Sequence, residues 1–186
     1  MFRGRPNSPL RVCGYLDKQE VGICGRNPGR LSKVFDSIGF EAYDRTMLTQ
    51  ASELLAASRV GTDFQFDVHA DGRLGDTFAL DIQVGIEQPH AVQASFETGI
   101  AGTIMRRLEQ WGVADERWKL APEAAFARSI PVERDDGTIG RYAFTLMPQW
   151  VKARWKSGVL QQAKLYYVAK AGFTDDQRRT TAHSGM

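Results

Sequence analysis

The chain has 186 residues, 42% of them hydrophobic and 25% charged, with a net charge of +2, which suits one core-forming domain and gives no bulk electrostatic reason for a nucleic-acid partner. Two cysteines, Cys13 and Cys24, argue against a disulfide scaffold at this length. The basic start is not followed by an apolar run, so it does not read as a signal peptide. No window approaches the roughly 18 apolar residues of a membrane helix, and a cytoplasmic protein without a membrane partner is expected.

"RGRPNSPLRVCGYL" runs quickly into a strand over Pro9–Leu16, an abrupt start that suggests a piece of something longer. "GICGRNPGR" reads as a Gly/Pro loop. It carries neither the spacing nor the terminal Lys-Ser/Thr of a phosphate loop or dinucleotide fingerprint. Asn27-Pro28 predicts a helix start, because Asn caps free N–H groups and Pro suits the first turn. Leu31, Val34, Phe35 and Ile38 follow helical spacing up to Gly39. A second helix is predicted over Arg45–Ala57 with Asp44 as its cap.

The clearest local signal comes next. Phe64, Phe66 and Val68 alternate with Gln65, Asp67 and His69; after "ADGRLGD", Phe78, Leu80, Ile82, Val84 and Ile86 alternate with polar or small residues up to Glu87. Period-two alternation around a Gly/Asp turn predicts a hairpin with one apolar face. Pro89 breaks it. Ser95 is then predicted to cap a helix to about Trp111, with Phe96, Ile100, Ile104 and Leu108 on its core stripe. A short helix over Pro122–Arg128 precedes a strand–turn–strand unit around "DDG". A second hairpin, "WVKARWKSGVLQQAKLYYVA", spans Trp150–Ala169.

These elements predict an α+β domain over residues 1–173, followed by a polar, frayed tail over 174–186. The domain is a curved antiparallel sheet with helices packed on one face. Helices precede a hairpin twice, about 85 residues apart by alternation count. That likeness is one of pattern, not of sequence identity.

An apolar face must turn toward the helices. Val151, Ala153 and Trp155 with Leu165 and Tyr167 are its members in the second hairpin. Lys152, Arg154, Lys164 and Tyr166 then share the opposite side with Asp67, Asp81 and Glu87. Two readings stay open for that side. One is a solvated surface with loose ion pairs, each contributing about 0–1 kcal/mol. The other is a concave or enclosed polar site for a small ligand. Lys164 and Tyr166 set a cation beside a phenol, a donor pair suited to phosphate or diphosphate.

With Trp150 beside them, Lys152, Arg154, Lys164 and Tyr166 make a helix–strand–strand unit that resembles the ABBA-type aromatic prenyltransferases. In that family a barrel of antiparallel strands lies inside a ring of helices. Inward cations and tyrosines bind an allylic diphosphate, and an inward carboxylate orients the aromatic acceptor. The resemblance rests on the two hairpins. It implies that Lys152, Arg154, Lys164 and Tyr166 bind the diphosphate, and that Asp67, Asp81 or Glu87 acts on the acceptor. It also implies that a chain this short is a fragment, or pairs with a second copy or a partner chain.

Other chemistry has less behind it. His69 near Asp67 and Asp81 could serve a hard or borderline cation, but no second histidine is close in sequence, and no metal or cofactor is assigned. No GxSxG elbow occurs. Trp150, Trp155, Tyr166 and Tyr167 among cations have the character of a single-strand nucleic-acid platform; the mild charge and the acidic residues of the same face weigh against it. The sequence expectation is therefore a binder of a small phosphate or diphosphate ligand, in its sharpest form a transferase. A non-enzymatic peptide- or protein-binding accessory domain is the alternative.

Overall fold

The computed structural model describes residues 9–58 and 60–174; the expected polar tail lies outside them beyond Thr174. In chain order the elements are β1 (Leu10–Leu16), α1 (Lys18–Arg26), α2 (Pro28–Ile38), α3 (Arg45–Ser58), β2 (Thr62–Val68) and β3 (Leu74–Gln83). A 3-10 turn (Pro89–Ala91) leads into α4 (Val92–Glu97) and α5 (Ile100–Gln110). A 3-10 segment (Glu116–Ala124) precedes β4 (Phe126–Glu133), β5 (Ile139–Lys156) and β6 (Val159–Thr174). No helix among the described residues is long and apolar enough to cross a membrane.

The six strands form one open, antiparallel sheet. β1 pairs with β2 and β2 with β3. β5 is long enough to serve two neighbours along one edge: β4 lies along Ile139–Leu146 and β3 along Trp150–Lys156. β6 follows the other edge of β5 over Arg141–Lys156. β4, the first half of β5 and the second half of β6 thus make a three-stranded wing beyond β3.

Helices cover one face. Phe35 of α2 packs edge-on to Phe66 and Phe78, with ring centroids 5.9 and 4.9 Å apart. Trp155 of β5 is fully buried, and its Nε1 donates to Gln50 Oε1 of α3 at 3.0 Å, which satisfies the indole N–H inside the core. Ile104 and Leu108 of α5 join the same core as Leu80, Ile82 and Val151. The α+β class and the one-sided helical layer expected from alternation are both present.

The caps expected at Asn27, Gly39 and Asp44 are in place. Asn27 Oδ1 accepts from Gly29 N at 3.0 Å, and Gly39 closes α2 at φ +75°. Asp44 Oδ1 accepts from Met47 N at 2.7 Å.

Four expectations are corrected. The "GICGRNPGR" loop is largely the second half of α1, capped by Asp17 and anchored by buried Val21 and Cys24. β3 ends at Gln83, and Gly85 turns the chain with φ +66°, so Ile86 and Glu87 lie beyond the strand. Ser95 caps nothing; it lies inside α4, and Gly99 separates α4 from α5. The helix expected over Pro122–Arg128 is the end of the 3-10 segment and the start of β4, because Pro122 cannot continue an α-helical ladder.

β5 turns into β6 through Ser157-Gly158, both at positive φ (+49° and +79°). Such a pair matches strand twist but favours Asn or Gly at its first position. Here β3 holds the serine: Ser157 N donates to Asp76 O, and Ser157 Oγ donates to Asp76 Oδ2, each at 2.8 Å.

Candidate functional site

The face away from the helices carries the polar residues, as side-chain alternation requires. Register sets Asp81 opposite Lys152 and Ala79 opposite Arg154 between β3 and β5. It sets Lys152 opposite Lys164 and Trp150 opposite Tyr166 between β5 and β6.

At the centre Lys152 Nζ donates to Gln65 Oε1 at 2.5 Å and to Asp81 Oδ2 at 3.2 Å, and Gln65 Nε2 also donates to Asp81 Oδ2. Both ion-pair side chains are 16% exposed, so this pair is better shielded from water than an ordinary surface pair. Trp150, Tyr166 and Tyr167 flank the cluster. Together with Asp63 they enclose a shallow cleft of about 370 Å³. Tyr167 Oη donates to Ala121 O at 2.8 Å, and burial pushes its phenol up from the ordinary tyrosine range, so it remains a neutral donor.

The cations are unevenly satisfied. Lys152 has its carboxylate. Lys164, directly opposite, is exposed, and like charges across a ladder repel. Arg154 Nε is buried without a hydrogen-bond partner among the described residues.

The sequence-expected residues separate into two groups. Asp81, Lys152 and Tyr166 line the cleft, with Arg154 and Lys164 beside it on the same face by register. Asp67 and Glu87 do not. Asp67 is buried on the same face near the β1 edge, where Arg11 Nε and Nη2 both donate to its Oδ1 at 2.9 and 2.8 Å. Glu87 is exposed in the loop after β3 and is withdrawn from the shared face, because the strand that would have carried it stops early. His69 lies exposed in the β2–β3 turn. Among the described residues no three His, Cys, Asp or Glu side chains come together at metal-ligand spacing.

Gln65, Asp63 and Arg11 are the members that sequence reasoning left out. Alternation had put Gln65 on the correct face, but nothing in the linear pattern marked it as the group joining Asp81 to Lys152. A wider depression of about 810 Å³ lies between the end of α2 and the β2–β3 turn. Two of its charged groups are already engaged, Arg73 with Asp71 at 2.7 Å and Asp76 with Ser157. The smaller cleft is the better candidate, because side chains from four strands converge on it.

No family model, curated protein or solved structure matches the chain, and none of these comparisons bears on the prenyltransferase resemblance.

Proposed function

We propose that the polar sheet face binds a small anionic ligand bearing a phosphate or diphosphate. The observation that carries this reading is the cation imbalance on β5 and β6. Lys152 and Lys164 oppose one another; among the described residues Arg154 keeps a buried Nε without a hydrogen-bond partner, and of these three cations only Lys152 is paired with a carboxylate. An anion spanning Lys164 and Arg154 would relieve that repulsion and accept the free donor through charge-assisted bonds. Tyr166 would add a hydroxyl, and Trp150 a flat apolar wall for the rest of the ligand. In the transferase form of the proposal, Asp81 is the expected carboxylate that would face an acceptor hydroxyl, because it lines the cleft and Asp67 and Glu87 do not.

Thermal melting with and without pyrophosphate tests this, with sulfate matched for ionic strength. At a concentration about ten times Kd, linkage gives roughly 1.4 kcal/mol, or about 3–5 °C for a chain of this size. Lys164→Ala and Arg154→Gln should each abolish most of the rise. No shift at several times 1 mM, or an equal shift with sulfate, overturns the proposal; about 1 mM corresponds to only 4.1 kcal/mol of binding.

A second reading, an accessory domain that binds a peptide or protein, is favoured by the open outer edges of β1 and β6. It expects pyrophosphate to do nothing.

A further inference from the structure

β6 is a 16-residue strand, roughly 50 Å long at the usual rise. Its inner edge pairs with β5. Among the described residues no backbone group on its outer edge pairs with another segment. Natural sheets blunt such edges with proline, charge or brevity. β4, at the far side of the wing, has Pro131; β6 has no proline and only Lys164 and Lys170 as charges.

The two halves of β6 differ in cover. Beside the first half, Ala163, Leu165 and Tyr167 line a cleft of about 480 Å³ with Met105 of α5 and Leu120 of the 3-10 segment, and Asp115 and Arg117 line it too; Leu120 is 57% exposed. The second half belongs to the wing, where the core-side face continues without helices. Phe126 and Phe144 touch there at 5.6 Å and Tyr142 and Phe173 at 5.0 Å, yet Ile130 and Phe173 remain 57% and 60% exposed. One half has a cleft with an exposed leucine, and the other has exposed rings and no cover.

We propose that β6 pairs antiparallel with β6 of a second copy about a two-fold axis at Ala169, joining two sheets into one. This goes beyond the anion reading and does not depend on it. An antiparallel strand is complementary to itself in backbone donors and acceptors, and a closed two-fold contact satisfies both copies at once. Antiparallel pairing sets the bare half of each strand beside the helix-backed half of the other. Centred on Ala169, the register opposes Phe173 with Leu165 of the second copy, on the same side of the sheet as the cleft and Leu120. It opposes Lys164 with Thr174 and Lys170 with Val168. Moving the axis to Tyr167 would oppose Lys164 with Lys170, a like-charge pair that the ladder disfavours.

Sedimentation of the full chain across a concentration series tests the assembly, and a cysteine at the axis tests the register. A dimer is expected whose Kd rises about 30-fold or more in Phe173→Asp. In a Cys13→Ser background, Ala169→Cys should cross-link to a covalent dimer on mild oxidation, and Lys164→Cys should not. A monomer at about 100 µM, weaker than the range of specific assembly, overturns the proposal. So does a dimer that Phe173→Asp leaves intact and Ala169→Cys fails to cross-link. Should Phe173→Asp fail to fold by circular dichroism, the cross-linking pair decides alone.

Discussion

Asp115 shows how single residues secure a segment of weak intrinsic structure. It caps the 3-10 segment, accepting from Arg117 N at 3.1 Å and pairing with the Arg117 guanidinium at 2.6 Å. The hydrogen bond from the Arg117 side chain, then the one from its backbone N–H, holds the carboxyl below the usual aspartate range. Asp71 is lowered by the backbone N–H of Arg73 and then by its side chain, and Asp136 by the Thr138 hydroxyl and then by its backbone N–H. A depressed folded-state value stabilises the native chain above the unfolded value of about 3.9. That stabilisation is lost as pH falls through the folded value. Melting temperature followed from pH 5 to below 3 should therefore decline less steeply in Asp115→Asn, which keeps a capping oxygen but no longer titrates; parallel curves would refute the assignment. At this scale the sequence was legible in side-chain parity but not in partners. Asp67 and Asp81 were both placed on the polar face, yet that Arg11 takes the first and Lys152 the second depends on strand neighbours 56 and 71 residues away.

Among the elements, α1 was the least visible in the sequence and for a physical reason. Gly22 and Gly25 lower its intrinsic propensity, and the glycines beside Asn27-Pro28 gave it the look of a loop. Gly25 is there because α3 comes close: a Cβ at that position would lie 2.7 Å from Ala56 N and 2.8 Å from its Cα. Backbone cannot yield as a side-chain tip can, so Gly25→Val should destabilise the chain by about 1–3 kcal/mol, as overpacked sites do. Urea denaturation would show it, and an unchanged midpoint would mean that α1 does not pack on α3 as described. The α4–α5 break leaves no mark in the hydrophobic pattern. Helical spacing of Phe96, Ile100, Ile104 and Leu108 runs straight across it, and periodicity alone does not register the extended backbone at Gly99. β2 and β3 were legible because a one-sided core imposes strict alternation on them; Phe66, Phe78, Leu80 and Ile82 are all buried.

Across the whole molecule, stability is concentrated in the helix-backed part of the sheet. β1 to β3 and the second half of β5 share the aromatic and aliphatic core, whereas β4 is almost wholly exposed. Local opening follows burial, so amide exchange in Phe126–Glu133 should be faster than in Thr62–Val68 and Leu74–Gln83. Similar protection in all three strands would show that something outside the chain covers the wing. The wing itself could not be read from the sequence. Two hairpins were expected, one around "DDG" and one around "KSG". That the strand between them is continuous from Ile139 to Lys156 depends on the irregular register between Pro148 and Trp150, which lets one strand change neighbours without ending.

The Ser157-Gly158 turn has a consequence for the order of events on the ribosome. Its first residue is a serine in a conformation that glycine or asparagine adopts more readily, and Asp76 steadies it with two hydrogen bonds. Asp76 is translated 81 residues earlier. Chains are synthesised N-terminus first, so the clamp residue has been made well before the turn it grips. The longest ladder among the described residues thereby closes at a turn whose clamp is synthesised before it.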